Sequence, residues 1–138
     1  GLWPDDPRAR AGARSVSTEM HAGFAALRRD LPMDIAKLSD VPRSASDEAK
    51  ADIARIQQIW QDCRGRFGSK KQSEGGGDFL FGRFGVADCM FAPVATRLRT
   101  YGVALDPVSA AYVDAIYAWP AMQEWCAAAA KEAPLPEM

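Results

Sequence analysis

The residues that could carry chemistry in this 138-residue chain are few: one histidine, three cysteines and a triple glycine. His21 is the only imidazole, and imidazole is the side chain best suited to exchanging a proton near neutral pH. By helical spacing it lies about 100° from Met20 and in line with Arg14, Ser17, Phe24 and Arg28. A lone histidine at such a place either sits on the helix surface, satisfies itself in the interior, or faces a cleft. Cys63, Cys89 and Cys126 are odd in number, far apart and contain no C-x-x-C. With a single histidine beside them they make no zinc site. Each falls on or next to an apolar helical position, where a free thiol acts as a small hydrophobe. Free thiols point to a reducing compartment, and a cytoplasmic location is expected. Gly75-Gly76-Gly77 could cradle a phosphate, but no Lys-Ser/Thr pair follows it. It reads instead as part of a flexible connection over 69–78.

These residues must be positioned by helices, because no useful strand alternation appears anywhere. Asp6 is an N-cap candidate with Pro7 at the first helical position. Ala13, Val16, Met20, Phe24, Leu27 and Leu31 then recur at steps of three or four, and Pro32 closes this helix. A loop is expected over 32–46, with Asp34, Ser39, Asp40, Pro42 and Ser44 in it. Ser46 or Ser44 caps a second helix carrying Ala49, Ile53, Ile56, Trp60, Cys63 and Phe67, which Gly68 ends. The third, over 86–101, is apolar round most of its circumference, so it belongs in the centre, with a kink at Pro93. Asp106 and Pro107 open a fourth helix, Trp119-Pro120 breaks it, and a fifth runs over 120–131. The expected class is all-α, a five-helix bundle over 1–138 with a loose tail after Pro134.

Charge excludes some functions. The 17 basic and 18 acidic residues are mixed, and the formal net charge is -1. No basic stripe suggests nucleic acid, and no apolar run is long enough to cross a membrane. Arg8, Arg10 and Arg14, and the pair Arg28 and Arg29, read as a solvated helix face or a subunit contact.

The most informative stretch opens the third helix. Gly85 is its N-cap and Asp88 its N3 residue, placed to accept from the cap's own N–H and to sit well against the helix dipole. Phe84 precedes the cap and is positioned to staple onto Cys89. Together with Gly82 this forms a structural capping motif, for which Asp88→Ala is expected to cost about 0.5–2 kcal/mol.

Gly82, Phe84, Val86, Ala87 and Asp88 resemble the capping box and staple of the C-terminal domain of glutathione transferases, with Gly85 standing where that family has Ser or Thr. Leu2-Trp3-Pro4 with Asp6 and Arg10-Ala11, Arg97 to Tyr101, and Trp119-Pro120 with Trp125 are similar to its bacterial branch. Glu19-Met20-His21 with Phe24 resembles the first helix of the beta-type enzymes, although Ala22 stands where lysine often follows. The resemblance covers essentially the whole chain. It implies that His21 lies in the cleft, with Ser17, Met20 and Phe24 as walls of a substrate pocket and Arg97 and Tyr101 as weaker candidates. It also implies glutathione as cofactor, a small electrophile as substrate, and a homodimer to which Arg10 and Arg14 contribute.

In that family the thiol-activating Ser, Tyr or Cys and the glutathione-binding residues lie in an N-terminal thioredoxin-like domain. No strand–helix unit of that kind occurs in 1–138, and the chain opens on Gly1 in a stretch that reads like the exit of a linker. The expectation is therefore the helical half of a glutathione transferase, inactive or nearly so by itself. The alternative is a non-catalytic protein–protein interaction module of the same fold, and an isomerase of the maleylacetoacetate type would use the same scaffold.

Overall fold

The computed structural model describes residues 1–37, 43–68 and 77–132. Ser39, Asp40 and Pro42 of the first loop, Gly75 and Gly76 of the triple glycine, and the tail after Pro134 lie outside the described residues. The elements are α1 (Pro7–Ala22), α2 (Ala25–Asp30), α3 (Asp47–Cys63) running on into a π-helical turn (Arg64–Gly68), α4 (Val86–Thr100), α5 (Pro107–Ala118) and α6 (Pro120–Ala129). Among the described residues no strand occurs, only an isolated bridge between Phe79 and Gly82.

Three of the helices start where short polar side chains say they should. Asp6 Oδ2 accepts from the Ala9 N–H at 2.8 Å, Ser46 Oγ from Ala49 at 3.2 Å, and Asp106 Oδ1 from Ser109 at 2.8 Å. Each satisfies one of the donors that a helix N-terminus leaves open. Pro7, Pro107 and Pro120 occupy first positions, where the absent N–H costs nothing.

The expected first helix is divided in two, so six α-helices occur among the described residues where five were expected. The apolar stripe is continuous across 13–31, but Gly23-Phe24 interrupts the backbone. Gly23 is extended (φ -103°, ψ -170°), and Phe24 is the one described non-glycine residue with positive φ (62°). A left-handed residue costs about 1–2 kcal/mol outside glycine, and here it turns the chain while keeping the Phe24 ring buried. Phe24 offers α2 no side-chain cap. Asp52 of α3 supplies it instead, accepting from the Leu27 N–H at 3.0 Å. Such a cap depends on the folded molecule and leaves no local signal in the sequence.

The core forms round α4, which packs on α1 and α5, while α3 packs on α2 and α5, and α6 on α5. Phe91, Val94, Ala95 and Leu98 of α4 are fully buried, as its nearly all-round apolar character requires. Trp60 from α3, also fully buried, meets Phe91 edge-on at 5.9 Å and Tyr112 of α5 at 4.7 Å. Helix α4 runs unbroken through Pro93, whose carbonyl accepts from Thr96 Oγ1 at 2.7 Å.

Candidate functional site

Asp88 is buried, and its carboxylate gathers three donors. Oδ2 accepts from the Gly85 N–H at 2.9 Å, and Oδ1 accepts from Leu80 N at 3.2 Å and from the Tyr112 hydroxyl at 2.9 Å. Burial pushes the Asp88 pKa up, although all three hydrogen bonds pull it down. Only half of a reciprocal capping box exists, because Gly85 has no side-chain oxygen to return. Gly82 adopts φ 92°, which suits glycine, in the tight turn where Phe79 and Gly82 exchange backbone hydrogen bonds. The expected staple takes another form: Phe84 stacks on Trp119 (4.4 Å, 4°) and meets Phe79 edge-on, while Cys89 is exposed. The indole of the α5–α6 junction offers the ring a larger flat face than a thiol one turn ahead. The motif thus clamps the start of α4 to the start of α6 and to α5, which is a folding role.

The residues expected to line a pocket gather where α1 ends. Ser17, Met20 and Phe24 turn inward and are only 7%, 8% and 7% exposed, whereas His21 is exposed on the same turn. Of the four, His21 is the one whose side chain reaches solvent. It occupies the last turn of α1, where the partial negative charge of the helix end favours cations. Ser17 Oγ is buried with no hydrogen-bond partner among the described residues.

Arg28 of α2 folds back over this end. Its Nη2 donates to the Met20 carbonyl at 2.6 Å, approaches Met20 Sδ at 3.7 Å and reaches the His21 carbonyl at 3.5 Å. Sequence reasoning grouped Arg28 with a solvated face, and nothing in helical spacing shows a side chain capping a different helix. Arg97 of α4 donates to the Leu31 carbonyl at 2.7 Å, and Tyr101 Oη donates to the Pro32 carbonyl at 2.8 Å. Both weaker candidates therefore close the far end of α2.

A concavity of about 220 Å³ lies round the leading segment and the start of α4, lined in part by Trp3, Ala9, Phe67, Phe81 and Phe84. Ala13, the lining residue of α1 nearest His21, is eight positions from it, so this cavity begins roughly 12 Å along the helix from the histidine. Arg10 donates to the Pro4 and Asp5 carbonyls, and Arg14 lies over the Trp3 ring at 5.6 Å. Those two arginines tie the leading segment down within the chain. Among the described residues no cluster of His, Cys, Asp or Glu could hold a metal, and no helix is long and apolar enough to cross a membrane.

With this architecture in view, comparison with known proteins is specific. Residues 10–128 match the family model for the glutathione S-transferase C-terminal domain, and the chain belongs to that family. A crystal structure of a glutathione transferase homolog from Burkholderia gl BGR1, with bound glutathione, superposes with a TM-score of 0.61 at 19% identity. The match covers 94% of this chain and 56% of that one, so the chain spans little more than half the length of this relative. No curated protein sequence matches it.

Proposed function

We propose that the chain is the helical half of a glutathione transferase, working with an N-terminal thioredoxin-like domain in a cytoplasmic homodimer. The reaction is attack of the glutathione thiolate on a small electrophile, with thiol activation supplied by residues outside these 138. What supports this reading is membership of the C-terminal domain family across residues 10–128, together with the histidine exposed where α1 ends. The bound glutathione of the Burkholderia homolog is consistent with the same cofactor here.

Within that reaction the chain's own residues form one wall of the cleft. His21 presents a proton donor or acceptor to the pocket. Ser17, Met20 and Phe24 are the buried part of the same wall. A rigid wall of this kind lowers the barrier by holding the electrophile in line with the thiolate.

The test is made on the protein as its natural gene produces it. Its intact mass should exceed 15.0 kDa by one small domain of about 50–100 residues. It should also conjugate glutathione to 1-chloro-2,4-dinitrobenzene, and His21→Ala should lower kcat/KM for that electrophile about tenfold or more, the usual scale for a positioned acid–base group. A natural mass of 15.0 kDa with no conjugation would sink the enzyme reading and favour a protein–protein interaction module.

A further inference from the structure

Two arginines that close the ends of α1 and α2 form no ion pair among the described residues. Arg28 and Arg97 are half-buried; Arg28 donates to the Met20 and His21 carbonyls and approaches the Met20 sulfur, and Arg97 donates to the Leu31 carbonyl. Neither forms an ion pair among the described residues, although seven other pairs occur there. Among the described residues none of the nearby acids pairs with either arginine. Asp30 binds Arg29 and Ser46, Asp52 caps α2, and Asp34 meets Thr100 through its carbonyl rather than its carboxylate.

The two guanidinium groups are also close enough to feel one another. Arg28 holds the carbonyls that end α1 and Arg97 the one that ends α2, a six-residue helix of about 9 Å. Burial, and then the Arg28 charge, push the Arg97 guanidinium below its ordinary pKa, and the group that opposes them is Tyr101, not a carboxylate. Arg43 adds a third cation on this side, lying over the Tyr101 ring at 6.0 Å. Each guanidinium has five N–H donors in a planar fork, so most remain available after one or two carbonyl contacts. A fold that half-buries two like charges without a counter-ion is stabilised by any anion that arrives there.

We propose that Arg28 and Arg97 form a carboxylate-binding pair, and that the small molecule taken by this domain carries a carboxylate group. The planar, forked donors match a planar two-oxygen acceptor. The exposed His21, on the turn whose carbonyls Arg28 holds, lies next to where the rest of that molecule extends. The substrate part of the proposal rests on the reading of this end of the chain as a pocket wall, whereas the binding part does not.

The experiment is a titration of the chain with sodium benzoate at fixed ionic strength, following the arginine side-chain Nε–Hε resonances by NMR. Saturable shifts of the Arg28 and Arg97 signals are expected. They should weaken about tenfold or more in Arg28→Lys and in Arg97→Lys, which keep the charge but lose the fork. Neutral benzamide should produce no saturable shift. Absence of saturation with benzoate, equal saturation with sodium chloride, or tighter saturation with sodium sulfate would overturn the proposal. If a variant does not fold, the wild-type titration against benzamide, chloride and sulfate decides alone. Conjugation by the longer protein is measured separately, so benzoate binding without conjugation would remove the enzyme reading and leave the anion pair standing.

Discussion

Two aspartates of this chain respond to pH with opposite sign. The Arg29 guanidinium, then the Ser46 hydroxyl and N–H, hold the Asp30 carboxyl well below the usual carboxylate range. Asp30 therefore binds its proton less tightly folded than unfolded. Its contribution is present above the ordinary value of about 3.9 and is lost as pH falls through the folded value. Asp88 is the reverse. Burial raises its pKa, so its contribution is complete below the ordinary value and declines as pH rises through the folded one. Denaturant unfolding followed from pH 2 to 7 should show Asp30→Asn flattening the acid limb of the stability curve. An acid limb unchanged by that substitution would mean Asp30 is not held as described. At Asp88 the hydrogen bonds also revise a magnitude. An ordinary cap is worth about 0.5–2 kcal/mol, but Asp88→Ala strands two backbone N–H groups and the fully buried Tyr112 hydroxyl. An unpaired buried group costs about 1–3 kcal/mol, so the loss of unfolding free energy should reach about 3 kcal/mol or more.

Among the elements, what could be read from the sequence was whatever is decided locally. Asp6, Ser46 and Asp106 cap the helices they were expected to cap, the apolar girth of α4 put it at the centre, and Gly68 ends the turn that follows α3. Sequence reasoning failed at Gly23-Phe24, where a continuous apolar stripe concealed a change of direction. Periodicity records which residues face the core, and both α1 and α2 face the same core, so the break left the pattern intact. It failed again at Arg28, Asp52 and Tyr112, whose partners lie on other elements. The capping motif was legible by its spacing, but the residue that completes it, Tyr112, is 24 positions away. The candidate site divides the same way: His21 stands out by type and Met20 and Phe24 by their place on the apolar stripe, while the burial of Ser17 emerges only from packing. Because α2 is six residues long and borrows its cap, it has little stability of its own. Asp52→Ala should cost about 1 kcal/mol and should raise amide exchange in α2 well before α4 is affected. Uniform exchange across both helices would argue against a borrowed cap.

For the molecule as a whole, the three thiols report three levels of opening. Cys89 is exposed, Cys126 partly buried, and Cys63 enclosed in the core with its thiol pushed up to about 12. Maleimide labelling followed by mass should therefore proceed in the order Cys89, Cys126, Cys63, with the last tracking global unfolding. Early labelling of Cys63 would mean that α3 loosens locally. The same enclosure has an optical consequence. Of the four tryptophans, Trp60 is 0% exposed and edge-on to two other rings, whereas Trp125 is 41% exposed. The folded chain should emit as two populations, one blue and shielded from iodide, one red and readily quenched, and the blue component is a built-in gauge of whether the centre of the bundle is dry.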